Sequence, residues 1–292
     1  EGCFTTAKQV QSVVRQQGGK AMLSELYGVT GWHFDFQGHK RQGDWQAALG
    51  VTVRVHHLSW VSTAGEAKRD YPAPIDSHSP WWREYRVIED HFSRLNTVLT
   101  RGTAVCRIAV IHPIESTWLD MGPGDGSGAR LGGHDGRFFE LNRWLINGLL
   151  DFDYVSEALL PSQGATARDG RLVVGAVAYD VVILPALVTV RRSTLALLAQ
   201  LREAGVRVVV LGSAPTLVEG VPEPAAAWLA ALPTVAWQQD AIFTALADVR
   251  DVRCATTAGA TLTQLVSQLR QDGADRWLFV CTTERDRSQG DC

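Results

Sequence analysis

The sequence has no apolar run near the ~20 residues that a membrane-spanning helix needs, so no membrane partner is expected. It has no block of Lys or Arg either. Its 28 basic side chains against 31 acidic ones leave a formal charge of -3, which provides no electrostatic footprint for nucleic acid. Cysteine is scarce and scattered: Cys3, Cys106, Cys254, Cys281 and Cys292 form an odd set without a C-x-x-C pair. That pattern argues against a disulfide framework or a zinc site and leans towards a reducing, cytoplasmic compartment. The chain opens on Glu1 with neither an initiator Met nor a charged and then apolar leader. The chain is therefore expected either to have lost its beginning or never to have had its native one, and a lost beginning would hide any signal peptide. What remains is a folded composition, 46% hydrophobic and 20% charged, which excludes disorder. A length of 292 residues fits about two domains. Tryptophan is the excess, with ten residues; its broad apolar face and single N–H suit sugar binding as well as core packing.

Along the chain, Thr5 or Thr6 can cap a helix through Val10, Val13 and Val14 that stops at Gly18-Gly19. Lys20 to Ser24 reads as a short buried strand that delivers Glu25 at its end. Phe36 to Leu49 reads as a helix, with Trp45 and Leu49 on one face. Val51 to Val55 is a second strand, delivering His56, His57, Ser59 and Trp60. After a long loop, Ser79-Pro80 opens a helix carrying Trp81, Tyr85, Ile88, Phe92, Leu95 and Leu99. Strand, loop and helix repeated with long loops after the strands predict the last part of a (β/α)8 barrel, where chemistry sits on those loops.

A second pattern begins near Cys106. Arg107–His112, Asp180–Pro185 and Val206–Leu211 read as buried strands, with helices over Phe138–Leu149 and Ser193–Ala204. This predicts a doubly wound α/β domain with a parallel sheet. Thr261–Arg270 reads as a helix and Trp277–Cys281 as a strand with no partner in the sequence.

Glu25 leads the candidates for chemistry. Glycosidic-bond cleavage needs one carboxylate as nucleophile or base, a second acid for the leaving oxygen, and aromatic faces to hold the ring; Tyr27 and Trp32 lie nearby. The competing reading makes Glu25 a strand-end acid paired with an Arg or Lys. His56 and His57 alternate, so only one faces the strand mouth, ready to bond a hydroxyl or carboxylate. Trp60, Trp81 and Trp82 serve as sugar platforms or as packing. Glu66, Arg69 and Asp70 either reach a substrate or stay solvated. Two motifs fail. Gly122–Gly128 spaces its glycines as G-x-G-x-G and does not follow a strand directly, unlike a phosphate cradle. Gly212-Ser213-Ala214-Pro215 follows a strand but lacks G-x-S-x-G and any Cys.

Five motifs occur in order: Lys20–Gly28, Gly43-Asp44-Trp45 with Ala48–Val51, His57–Trp60, Lys68-Arg69-Asp70-Tyr71-Pro72, and Ser79–Trp82. Together they resemble the catalytic-barrel end of the α-L-rhamnosidases of glycoside hydrolase family 106. A distant barrel similarity extends to the family 42 β-galactosidases. Asp151–Tyr154, Glu157, Tyr179-Asp180, Leu184-Pro185 and Gly205 resemble the flavodoxin-like, class I glutamine-amidotransferase-like domain that follows such barrels. The resemblance implies Glu25 as the strand-seven carboxylate, with a partner acid on strand four, upstream of Glu1. It also allows a calcium ion, although no ligand cluster in the sequence marks one, and a homo-oligomer built through the amidotransferase-like domain.

The resulting expectation is a barrel end over 1–102, an amidotransferase-like α/β domain over 103–272 and the start of a truncated β-sandwich over 273–292. Its function would be O-glycosidic bond cleavage on a carbohydrate substrate, with Glu25 as base or nucleophile. Trp32, His57, Trp60, Arg69 and Tyr27 would contact the substrate. A non-catalytic carbohydrate-binding or oligomerisation module is the alternative.

Overall fold

The computed structural model describes residues 2–69, 73, 75–123, 127–259, 262 and 264–283. The chain runs α1 (Gly2–Gln16), β1 (Leu23–Leu26), α2 (Phe36–Ala48), β2 (Val53–His56), α3 (Arg86–Leu99), β3 (Thr103–Ala104) and β4 (Ile108–Ile111). It continues through α4 (Ile114–Leu119), α5 (Ser127–Asn147), β5 (Phe152–Val155), β6 (Thr166–Arg168), β7 (Arg171–Val174), β8 (Val177–Tyr179) and β9 (Val181–Pro185). It ends with β10 (Thr189–Val190), α6 (Arg192–Glu203), β11 (Arg207–Leu211), β12 (Leu217–Val218), β13 (Val221–Pro222), β14 (Thr234–Val235), α7 (Gln239–Ala245), β15 (Leu265–Asp272) and β16 (Asp275–Thr282). These elements fall into two compact units, one of residues 1–19 and 105–263, the other of residues 20–104 and 264–292.

The first unit is the expected α/β domain. Its five-stranded sheet has the order β14-β11-β9-β4-β5, with every pairing parallel. Read from the β5 edge inwards, that is the flavodoxin-like order. The central strands β4 and β9 are buried along their whole length, as strands covered on both faces must be, which is why they read as unbroken Ile and Val runs.

The helix α1 belongs to this unit and not to the expected barrel end. Its inward face is polar: Lys8, Gln11, Ser12 and Gln16 are buried, whereas Val10 and Val13, the expected apolar face, are 42% and 49% exposed. The reason lies in what it covers. Lys8 pairs with Asp151, and Arg15 bridges Asp151 at 2.9 Å and Asp153 at 3.1 Å. Gln16 Nε2 donates to the Tyr154 carbonyl at 2.8 Å, and the Tyr154 amide donates to Ser12 Oγ at 2.9 Å. Buried carboxylates and strand-edge backbone groups need partners more than they need valines.

In the second unit β1 and β2 form a two-stranded parallel sheet. Helix α2 is capped by Asp35, whose Oδ1 accepts from the Gly38 amide at 2.8 Å. Helix α3 starts later than Ser79-Pro80 predicts, because a short 3-10 turn at Trp82–Glu84 intervenes. The predicted helix near the end of the chain is a strand. β15 and β16 form an antiparallel hairpin, Leu265↔Thr282 to Asp272↔Asp275, around a Gly273-Ala274 loop, and β15 pairs further with β3. Trp277–Cys281 therefore has a partner. The hairpin packs against α2 within this unit, so the unit boundaries differ from the expected 103–272 and 273–292 divisions.

Candidate functional site

Parallel pairing sets Leu23 opposite Val53 and Glu25 opposite Val55. Strand alternation then gives the sheet two unlike faces. On one, Leu23, Val53 and Val55 are 61%, 40% and 39% exposed, with the exposed Glu25 among them. On the other, Leu26 is buried and Arg54 reaches into α3, its guanidinium 3.9 Å from the centre of the Phe92 ring. Among the described residues, then, α3 packs on the Arg54 side while the Glu25 side stays exposed. The Glu25 carboxylate has no ion-pair partner among the described residues, so the alternative of a strand-end acid neutralised by a nearby cation finds no support there.

His57 is the first residue past the end of β2. Its amide donates to the Leu26 carbonyl at 2.8 Å. Its ring rests on Gly28, where an added Cβ would lie 3.1 Å from His57 Cδ2. His57 Nδ1 is occluded and has no hydrogen-bond partner among the described residues, and the same holds for Trp60 Nε1. His56 Nε2 lies 2.9 Å from the Tyr85 hydroxyl.

The remaining expected residues divide. Trp32 and Trp60 are half-buried in the loops after β1 and β2. Arg69 closes a 3-10 turn at Gly65–Arg69 and pairs at 2.9 Å with Glu66, both side chains largely exposed. Asp70, Tyr71 and Pro72 lie outside the described residues. Tyr27 departs from expectation: it is 1% exposed, its hydroxyl accepts from Arg54 Nη1 at 3.1 Å, and its ring sits 4.5 Å from His39 and 5.2 Å from His56. A ring so enclosed presents no face to a ligand. Its backbone is left-handed, φ 70°, as is that of Val29, φ 57°, which is unusual for a β-branched residue.

Sequence reasoning missed the residues behind the sheet. Arg54 Nη2 donates to Glu89 at 2.7 Å, and Glu89 lies 3.4 Å from His56 Nε2. The nearby His56 ring and the guanidinium of Arg54 hold the Glu89 carboxyl below its usual range. His39 is fully buried, with Nδ1 2.8 Å from the Asp35 carbonyl; burial pushes its pKa down. Burial likewise raises those of Tyr27 and Tyr85. A charged residue inside Val53-Arg54-Val55-His56 was the available signal.

In the first unit, Gly212 is left-handed after β11, φ 78°, and Ser213 beside it is exposed. Of the Gly122–Gly128 run, residues 124–126 lie outside the described residues. Among the described residues no group of three or more His, Cys, Asp or Glu is placed to hold a metal, so the calcium expectation has no donor set there. No helix among them is long and apolar enough to cross a membrane.

No protein-family model and no curated protein matches the chain. Solved structures do. The rhamnosidase from Novosphingobium sp. PP1Y is similar over 94% of this chain, with a TM-score of 0.66 and 18% identity. The β-galactosidase from Bacillus circulans sp. alkalophilus is similar over 96% of it, with a TM-score of 0.50 and 16% identity. The β-galactosidase from Rahnella sp. R3 is similar over 74% of it, with a TM-score of 0.50 and 20% identity. The chain spans only 27%, 39% and 31% of those proteins respectively. Identities this low carry the fold and not the chemistry. The chain is a mixed α/β protein, built around a five-stranded parallel sheet, that is structurally similar to parts of glycoside hydrolases.

Proposed function

We propose that this chain is the end of the catalytic (β/α)8 barrel of a glycoside hydrolase, joined to the α/β domain that follows it, and that Glu25 is the base or nucleophile. One observation carries the reading. Glu25 lies on the open, apolar face of a parallel strand pair that, among the described residues, has α3 packed on the opposite side. That is how the inner face of a barrel strand looks when seen apart from the other strands, with helices outside and reacting groups at the carboxyl ends.

In this reading the remaining strands close over Leu23, Val53 and Val55, and one of them brings the acid that protonates the leaving oxygen. A carboxyl separation of ~5–5.5 Å would make the enzyme retaining, and ~6.5–9.5 Å inverting. His57, just past the end of β2, bonds a substrate hydroxyl or the carboxylate through its ring. Trp32 and Trp60 supply stacking faces beside the sugar, and Arg69 extends the polar rim. Tyr27 supports the site from behind.

Glu25→Gln in the full-length protein tests this. The substitution keeps size and hydrogen bonding and removes the charge. We expect kcat on aryl glycosides to fall by at least ~10²-fold, with the unfolding temperature unchanged because the side chain is exposed. Wild-type turnover, or a loss that merely tracks unfolding, would contradict the reading.

A further inference from the structure

The turn after Glu25 is held in an unfavourable shape by a network centred on the buried Tyr27 and Arg54 side chains. Tyr27 and Val29 are both left-handed, at φ 70° and 57°. Residues in such conformations persist only where the surroundings over-determine them, and they concentrate at functional sites. Here the surroundings are explicit. The Tyr27 carbonyl accepts from Thr30 Oγ1 at 2.7 Å and from the Ala73 amide at 3.4 Å. Its hydroxyl accepts from Arg54 Nη1 at 3.1 Å, while Arg54 Nη2 donates to Glu89 at 2.7 Å. The planar guanidinium thereby makes two differently directed bonds while stacking on Phe92, which an ammonium could not do.

The turn is also coupled to the open face. Gly28, between the two strained residues, lies directly under the His57 ring, and the residue before the turn, Leu26, accepts the His57 amide bond. Glu25 is the next residue back along β1. A shift of the turn therefore moves His57 and the end of the Glu25 strand together.

We infer that the Arg54–Tyr27 pair is a positioning device: it clamps the 27–29 turn and through it sets His57 relative to Glu25. The inference rests on the reading of Glu25 given above. Arg54 and Tyr27 touch no substrate; they fix the groups that do. Positioning errors well below the size of an atom are enough to lower turnover, whereas a purely structural role would alter stability and leave kinetics alone.

The test pairs Tyr27→Phe, which keeps the ring and removes one hydrogen bond, with Arg54→Lys, which keeps the charge and loses the fork. In the full-length protein we expect either variant to lower kcat roughly 10-fold or more, with KM within about twofold of wild type, as for an interaction expressed in the transition state. On the 292-residue chain, the His57 Cε1–H proton resonance, assigned by its loss in His57→Gln, should shift in both variants. Should Tyr27→Phe fail to fold, Arg54→Lys carries both readouts. Unchanged kcat with an unmoved His57 resonance overturns the inference, even where Glu25→Gln is inactive and the glycosidase reading stands. If Glu25→Gln keeps wild-type turnover, that reading falls. The His57 resonance then still decides whether the clamp exists, a shift supporting it and no shift overturning it.

Discussion

His112, at the carboxyl end of β4, is held as a neutral imidazole. Nε2 lies 3.1 Å from Gln9 Oε1 and donates to it, while Nδ1 accepts from the Ile114 amide at 3.2 Å. Burial lowers its pKa from 6.5 to about 4. Between those values the unfolded chain takes up a proton that the folded chain refuses, so stability falls as pH drops through that window. The loss is on the order of 3 kcal/mol. A denaturant series should show this decline between pH 6.5 and 4, and His112→Gln should flatten it. Imidazole NMR should place the His112 midpoint near the lower value; a midpoint near 6.5 would contradict the burial account. At this scale the placing of Glu25 and His57 at strand ends was legible because polar residues ending apolar strands stand out. The fate of Tyr27 was not. Its left-handed backbone and its burial against His39 follow from tertiary packing, which no local spacing encodes. Arg54 within Val-Arg-Val also reads as solvent-facing, and only Phe92 and Glu89 on α3 explain why it turns inward.

Helices α2 and α3 meet through a missing side chain. At Gly43 an added Cβ would lie 2.2 Å from Phe92 Cζ, and Phe92 is the ring on which Arg54 stacks. Gly43→Ala should therefore push Phe92 away, destabilising the second unit by ~1–3 kcal/mol in denaturant titration. A neutral or stabilising effect would show that the helices separate freely. Glycine within a helix normally weakens it, yet close packing against Phe92 is what requires it at Gly43. The β15–β16 hairpin was concealed in another way. Leu262, Leu265, Val266 and Leu269 recur at helical spacing, but the residues of β15 that become buried are Val266, Gln268 and Leu269. The better signal was Asp272-Gly273, a turn dipeptide between two strand-like segments; Gly273 is indeed left-handed, φ 59°. α1 misled by its valines, since the face that docks is the one matching the Asp151 and Asp153 carboxylates.

Across the whole molecule, the α/β unit was readable because its central strands are apolar throughout and are separated by helix-length segments. Only a covered parallel sheet imposes that pattern. The β1–β2 unit was readable as strand, loop and helix. Its meaning depends on an open face that periodicity alone does not reveal. The likeness to a rhamnosidase and to β-galactosidases runs over most of this chain and over no more than 39% of theirs. The central claim is that the Glu25 carboxylate acts at the sugar. Removing it entirely, as Glu25→Gly in the full-length protein, leaves a gap that a small external anion can enter. The most direct measurement is turnover of an aryl glycoside by this variant with and without azide. Turnover should collapse, and azide should partly restore it, with a glycosyl azide as product. Undiminished turnover without azide, or a folded but inactive variant that azide does not revive, would contradict it.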